Sequence, residues 1–213
     1  MFENVVITNF SHSGYSFLHS NALCHTIIGG TIANGPIGVF TATGSFKMVG
    51  THLQNLSDVD FDFENPLYAG EIYEHPIQIE SVTSDGGQAI MRTGSAGVLV
   101  SITGMQARVT SLSAPLFNVR APYTMLMVSS SFMYRLNKGS ELDFVGGSNQ
   151  VINFTGNYLG VSRIVVNGRF TSEANCWMGK PKLAAASGST IVESGDMCGT
   201  FTRQPKIAWL KPS

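Results

Sequence analysis

Polar and apolar residues alternate most strictly in the stretch SDVDFDFENP, residues 57–66. Four acidic residues in this stretch are interleaved with Val59, Phe61 and Phe63. Because a strand points successive side chains to opposite faces, the pattern predicts a strand with an apolar face toward a core and an acidic face toward solvent. Short β-type runs such as VVIT, VLVSIT and MLMVSSS, separated by turn residues, predict further strands, and the sequence shows almost no helical period.

Apolar residues also recur at a fixed distance along the chain. A step of 22 residues connects three columns: Val5, Ile27 and Val49; Tyr15, Ile37 and Val59; Phe17, Val39 and Phe61. After an interruption near NPLYAGEIYEHP, a step of 26 residues connects Ile90, Leu116 and Leu142. The segments 98–105, 125–132 and 151–158 follow one another at about the same distance.

This period predicts an all-β parallel solenoid. Each repeat is a coil of two or three short strands that cannot bury its apolar side alone, so stacked coils build a continuous core. The period is too short for a strand–helix–strand unit, which takes about 30 residues or more. The repeated strands therefore pair in parallel from one coil to the next.

Two consecutive stretches carry a family resemblance. FENVVITNFSHSGYSFLHSNALC and the following HTIIGGTIANGPIGVFTATGS resemble rungs of the right-handed, single-stranded parallel β-helix of pectate-lyase-like proteins, and especially of bacteriophage tailspikes. The resemblance covers residues 2–166 as a style of repeat and is not a catalytic signature. It implies a homotrimer in the virion that acts outside the host cell, where it binds, and often cleaves, a bacterial surface polysaccharide. Outward acids and aromatic residues would form the glycan site.

The chain divides into two parts on this interpretation. Residues 1–166 are expected to form the parallel β-helix, and residues 167–213, which lose the period, a short β-rich segment that closes the solenoid and joins subunits. Both tryptophans, Trp177 and Trp209, lie in the second part. Because a rung-like sequence starts at Phe2 without a capping element, we expect the chain to correspond to the C-terminal portion of such a protein.

Composition narrows the possible partners. The net charge is −1 and no basic cluster occurs, which argues against nucleic-acid binding. No apolar run reaches the roughly 18 residues of a membrane helix, so membrane insertion is not expected. No metal-ligand spacing, P-loop or G-x-S-x-G is found, so neither a metal nor a cofactor is predicted. The three cysteines lack a C-x-x-C spacing and are interpreted as buried free thiols.

The acidic strand is the first candidate site. In the 22-residue register, Asp58, Asp60 and Asp62 lie outside, above small residues and beside Phe40, which would give a groove for a sugar chain an apolar lip. Carboxylates two residues apart on one strand face are about 6.5–7 Å apart, close to the spacing of acid and base in inverting glycosidases. Glu64 is the candidate acid, and Asp60 or Asp62 the candidate base. An acidic face that only keeps the solenoid soluble is the alternative, and calcium binding is a weaker one.

The interruption after the acidic strand adds candidate binding residues. Loops that interrupt a solenoid often lie on its binding face. Tyr68 and Tyr73 offer flat surfaces for sugar rings, and Glu71 and Glu74 lie beside them in sequence. The alternative is that these residues only cover the step between the two registers.

Two classes of function agree with these observations. The protein is either a depolymerase, as a glycoside hydrolase or a polysaccharide lyase, or a non-catalytic adhesin or structural tip of a phage fibre. A monomeric pectinase-like enzyme is a third, weaker hypothesis, because the N-terminus MFENVVITNF lacks the pattern of a signal peptide. A search for new reducing ends in host polysaccharide separates the first two classes.

Overall fold

The computed structural model describes residues 1–18, 24–41, 45–63, 76–94, 97–110, 114–135, 140–147, 149–178, 180–198 and 201–203. Within these residues, no helix has the length and apolar character needed to cross a membrane. The strands, in chain order, are β1 (Phe2–Glu3), β2 (Val6–Thr8), β3 (Ser13–Phe17), β4 (His25–Ile28), β5 (Thr31–Ala33), β6 (Ile37–Thr41), β7 (Phe46–Val49), β8 (His52–Gln54), β9 (Val59–Phe63), β10 (Ile77–Glu80), β11 (Thr83–Gly87), β12 (Met91–Thr93), β13 (Leu99–Thr103), β14 (Gln106–Val109), β15 (Phe117–Val119), β16 (Met125–Ser129), β17 (Phe132–Arg135), β18 (Ser140–Phe144), β19 (Val151–Thr155), β20 (Tyr158–Val166), β21 (Arg169–Glu173), β22 (Cys176–Met178), β23 (Lys182–Ala185), β24 (Thr190–Ser194) and β25 (Thr202–Arg203).

The strands wind into a parallel β-solenoid, as the sequence predicted. The first sheet contains nine strands in the order β1-β4-β7-β10-β13-β16-β19-β21-β24. The second sheet runs from β2 through β5, β8, β11, β14 and β17 to β20 and β22, and the third from β3 through β6, β9, β12, β15 and β18 to β20, β23 and β25. β20 is long enough to pass through the corner and pair in both. Each coil contributes one strand to each sheet, so neighbouring coils pair in parallel.

Columns of apolar side chains fill the interior. In the first sheet, one column contains Ile27, Met48, Ile79, Ile102, Val128 and Phe154, all of them buried. In the third sheet, another contains Phe61, Met91, Phe117, Leu142, Ile164 and Leu183. Both columns belong to one continuous core cluster. The hydrophobic contribution of each coil therefore depends on its neighbours.

The corner after each strand of the first sheet has a fixed backbone form. One residue with positive φ directly follows each of these strands: Asn4, Gly29, Gly50, Ser81, Gly104, Ser130, Gly156, Ala174 and Gly195. Glycine and asparagine tolerate this left-handed conformation best, which explains why they dominate the list. The repeated corner turns the chain from the first sheet into the second at the same place in every coil.

Polar side chains just past this corner stack along the solenoid. Asn157 accepts a hydrogen bond from the backbone N–H of Ser131 (2.9 Å), and Asn175 accepts one from the backbone N–H of Asn157 (2.9 Å). Their side-chain amides donate to the carbonyl oxygens of Val128 and Phe154 (both 2.8 Å). The ladder satisfies backbone groups that the turn would otherwise leave buried without partners.

The predicted 22-residue register is confirmed only between β6 and β9. Ile37 pairs with Val59 and Val39 with Phe61, but Tyr15 pairs with Val39 instead of Ile37. The columns that began with Val5 and Phe17 are wrong, because Ile27 pairs with Phe2 and Met48, while Phe17 pairs with Thr41. In the first sheet, coil length varies from 18 residues between Phe154 and Ser172 to 31 residues between Met48 and Ile79. A constant step therefore slips by one to a few residues at the turns.

The 26-residue step is confirmed in the first sheet. There, β13 pairs with β16 in register from Leu99 to Met125, and β16 pairs with β19 from Met125 to Val151. In the third sheet, Leu142 pairs with Phe117 instead of Leu116. The step holds where successive turns have the same length.

The parallel ladder continues beyond residue 166. β21 pairs with β19, and β24 pairs with β21. Trp177 is fully buried in the aromatic core at this end, beside Phe154 and Phe170. Whether residues 167–213 act as a separate closing and oligomerisation unit stays a prediction.

The expectation of three buried free thiols is wrong. Cys176 and Cys198 form a disulfide with a sequence separation of 22, and Cys24 is free and exposed. The two bonded cysteines lie in consecutive coils, because Cys176 pairs with the neighbouring Met197. Sequence spacing of one coil thus places the two sulfur atoms side by side, a relation that no short cysteine motif encodes.

Candidate functional site

The acidic strand predicted from the sequence is β9, but its carboxylates do not share one solvent-facing surface. The Asp58 side chain, just before the strand, is 46% exposed, whereas that of Asp62 is only 2% exposed. Asp60 is completely buried. The expectation that these acids face solvent together is therefore wrong for Asp60 and Asp62.

Arg92 in β12 holds the two outer carboxylates. It donates two hydrogen bonds of 3.1 Å to Asp58 and one of 2.5 Å to Asp62, which it faces across the β9–β12 pair. Burial lowers the pKa of Arg92, but the hydrogen bonds and charges of Asp62 and Asp58 outweigh it and raise that pKa. The guanidinium stays charged and covers Asp62.

Asp60 departs from the alternation of the strand, because it and Phe61 are both buried while Val59 leaves the main core. Val59 packs in a small separate cluster with Ile37 and Ala89. The Asp60 carboxyl lies next to the hydroxyl of Ser84, whose strand neighbours Leu53 and Ala107 belong to the main core. The acid thus lies at the edge of the solenoid interior.

Glycine makes room for this carboxyl. A Cβ atom on Gly87 would lie 3.0 Å from Asp60 Oδ1 and 3.4 Å from Ser84 Oγ. Within the described residues, neither carboxyl oxygen of Asp60 has a hydrogen-bond partner of normal geometry. Burial raises the pKa of Asp60 to about 7, and the Ser84 hydroxyl lowers it only in part. A protonated, neutral carboxyl is the form that this site favours near and below neutral pH.

The remaining predicted site residues divide into two groups. Phe40 pairs with Asp62 in the neighbouring coil, as the register predicted, and its ring contacts that of His12 at 5.4 Å. The others, Glu64, Tyr68, Glu71, Tyr73 and Glu74, lie outside the described residues. Their proposed roles, and the catalytic roles of Asp60 and Asp62, stay predictions.

A groove of about 440 Å³ lies on the outer face of the second sheet, a surface that the sequence did not indicate. Two rows of side chains line it, one on each side of the buried Ala107. One row contains His52, Thr83, Gln106 and Phe132 in consecutive coils. The other contains Asp85, Arg108 and Tyr134. The rows run along the solenoid axis because the members of each are paired across parallel strands.

Aromatic rings close one end of the groove. Phe132, 41% exposed, stacks on Tyr158 of the next coil, with ring centroids 4.8 Å apart and planes 10° apart. The ring of Tyr134 meets that of Phe132 edge to face at 5.1 Å. Since Tyr158 covers one face of Phe132, the other face is directed along the axis toward Gln106. An exposed ring face of this kind suits stacking against an apolar ligand surface.

A two-pronged ion pair lies in the second row. Arg108 Nε and Nη2 donate to Asp85 Oδ1 at 2.8 and 2.5 Å, and Nη2 also donates to Oδ2 at 2.7 Å. These hydrogen bonds, together with the negative charge of Asp85, raise the pKa of Arg108. The pair fixes a planar polar group beside the aromatic wall.

The groove residues are separated by one coil in sequence, which explains why sequence inspection missed them. A signal exists: polar or aromatic residues repeat at positions i and i+2 as Thr83/Asp85, Gln106/Arg108 and Phe132/Tyr134. The alignment of these pairs becomes visible only after the coil lengths are known. Periodicity of apolar columns drew attention to the interior instead.

Comparison of the chain with protein-family models, with curated proteins and with solved structures finds no match. Within the described residues, no group of three or more His, Cys, Asp or Glu side chains is arranged to hold a metal ion. The functional argument therefore depends on the solenoid and on the side chains of its outer faces.

Proposed function

We propose that this chain is the glycan-recognition part of a phage tailspike or tail fibre, and that it binds a bacterial surface polysaccharide. The observation that carries the proposal is the groove of the second sheet, where an exposed aromatic face meets a row of hydrogen-bonding side chains. Concave sites with apolar walls and a few fixed polar groups are typical of small-ligand and sugar recognition. The groove is open along the solenoid axis, which suits a polymer.

Binding without cleavage is the version that the side chains favour. The candidate base Asp60 is buried, and Arg92 holds Asp58 and Asp62 in place. A glycosidase needs one protonated and one ionised carboxyl with access to the glycosidic bond. A non-catalytic receptor-binding tip is therefore proposed ahead of a depolymerase.

The proposal includes a right-handed coil and a homotrimer in the virion. Parallel crossover connections are right-handed in about 98% of cases, which supports the handedness. Met125 and Met127, 40% and 45% exposed on the outer face of the first sheet, support a protein partner surface. Light scattering at micromolar concentration is expected to give three times the chain mass of 22.9 kDa. A monomeric mass contradicts the trimer.

The experiment for the function uses capsule and lipopolysaccharide from candidate hosts. The unmodified chain is expected to bind at least one preparation, and Phe132→Ala to lower the affinity about tenfold or more because it removes the stacking surface. Met127→Ala on the first sheet is the matched control and should bind normally. Absence of binding to every preparation contradicts the proposal.

A second measurement in the same reactions tests the depolymerase hypothesis. New reducing ends or shortened chains that disappear in Asp62→Asn would show cleavage and return the acidic strand to the mechanism. Unchanged chain length with retained binding supports the adhesin.

A further inference from the structure

The charges of the groove nearly cancel, which constrains the ligand. Asp85 accepts all three hydrogen bonds that join it to Arg108, so each side chain neutralises the other. Within the described residues, no other Lys, Arg, Asp or Glu lines the groove. Recognition of carboxylate, sulfate or phosphate groups generally uses a cation that faces the anion directly. Here the nearest guanidinium is already occupied by a carboxylate.

The aromatic end adds a second constraint. The free face of Phe132 is a flat apolar surface directed along the axis, and Tyr134 supports its edge. The hydrogen-bearing face of an uncharged pyranose ring matches such a surface, whereas an anionic substituent on that face would lose its hydration without compensation. Thr83 and Gln106, in the row that ends at Phe132, offer neutral hydrogen-bonding groups to sugar hydroxyls.

We infer that the groove of the second sheet takes an uncharged pyranose segment, which runs along the solenoid axis and stacks one ring on Phe132. This inference rests on the proposed function and specifies its substrate class. The Asp85–Arg108 pair serves as a planar hydrogen-bonding group for hydroxyls and not as an anion receptor. One coil advances about 4.8 Å along the axis, so successive sugars of an extended chain meet successive coils.

The test uses an array of neutral and acidic bacterial polysaccharides, followed by titration of each bound glycan at different NaCl concentrations. The bound glycans are expected to be neutral, or to keep their affinity when chemical reduction converts their uronate carboxyls to alcohols. The affinity is expected to change by less than about twofold between about 0.05 and 0.5 M NaCl, because no net charge pairs across the interface. Binding only to acidic glycans, with a loss of about tenfold over this range, overturns the inference and leaves the proposed function intact.

Variants separate the groove from other surfaces. Phe132→Ala should lower affinity about tenfold or more, and Phe132→Tyr should restore it. The double variant Asp85→Asn with Arg108→Gln, which keeps planar polar groups but removes both charges, should lower it by less than about fivefold. Loss of binding in the double variant with full binding in Phe132→Ala contradicts the inference, and absence of any bound glycan contradicts the proposed function as well.

Thermal unfolding of every variant accompanies the titrations. Phe132 is partly exposed, so its truncation should leave a cooperative transition. If Phe132→Ala fails to fold, Gln106→Ala decides, because this exposed residue lies in the coil that faces the free ring surface. Unchanged affinity in a folded Gln106→Ala, together with binding that depends on salt, overturns the inference.

Discussion

Single residues at the corners of the coils carry backbone strain that differs with residue type. Ala174 is exposed and adopts φ of 52°, whereas the equivalent residue of the preceding coil is Gly156, with φ of 64°. A side chain in the left-handed region costs about 1–2 kcal/mol, and glycine avoids that cost. Sequence variation at one structural position thus has a defined sign for stability.

Ala174→Gly is expected to stabilise the protein. Relief of the strain exceeds the extra entropy of glycine in the unfolded chain, so the free energy of unfolding should rise by about 0.5–1 kcal/mol. The matched change Gly156→Ala should lower it by about 1 kcal/mol, since a Cβ there meets no atom within 4 Å and only the backbone is strained. Urea unfolding measures both. A loss of stability in Ala174→Gly contradicts the prediction.

Asp60 gives the protein a pH-dependent stability. Its pKa is about 7 in the folded chain and about 4 in an unfolded one. The folded state therefore binds the proton more tightly, so stability from this group is fully present below about pH 4 and is lost as pH rises toward 7. Above pH 7 the loss is complete and stays constant.

Asp60→Asn removes this dependence while it keeps the shape of the side chain. The free energy of unfolding of the variant minus that of the unmodified protein should increase by about 1.4 kcal/mol per pH unit between about pH 4 and 7. Chemical denaturation at several pH values measures the difference, in which titrations of other groups cancel. A difference that is independent of pH rules out a buried, titrating Asp60.

At the scale of elements, the disulfide joins β22 to the next coil near the C-terminal end. Cross-links stabilise a fold chiefly because they restrict the unfolded chain, and a loop of this length is worth about 3 kcal/mol. The double variant Cys176→Ser with Cys198→Ser should lose about that amount. Cys24→Ser is the control and should change stability by less than about 0.5 kcal/mol, because Cys24 is free and exposed. Equal stability of the double variant and the unmodified protein contradicts this prediction.

At the scale of the whole molecule, each coil contacts only its neighbours, so the ends are held from one side. The strands of the first coil are largely exposed, as Phe2 and Val6 show at 38% and 69%, whereas Val128 and Phe154 in the later coils are buried. Local opening is easiest where few apolar contacts must break. Stability should therefore vary along the axis.

Native-state hydrogen exchange tests this variation. Backbone amides of β13, β16 and β19 are expected to exchange at least about tenfold more slowly than those of β1 and β2, because their opening breaks contacts on both sides. Mass spectrometry of peptides from each coil gives the rates. Identical protection in all coils would indicate a fully cooperative unit and contradict the prediction.

Sequence alone determined the class of fold and part of its register. Short apolar runs without a helical period require strands, and a period near 22–26 residues leaves no room for crossover helices, so a parallel solenoid follows. The pairing of Val39 with Phe61 and of Leu99 with Met125 followed where two turns have equal length. Local periodicity is sufficient information for these features.

Tertiary structure alone decided which side chains meet. Coil lengths vary, so only the folded chain shows that Cys176 reaches Cys198, that Asp60 is enclosed beside Ser84 and Gly87, and that Phe132 stacks on Tyr158. Alternation assigned Asp60 to solvent, because a departure from the two-residue period leaves no mark in composition. Contacts between coils depend on the sum of all turn lengths between them, and that sum is set by the complete packing of the core.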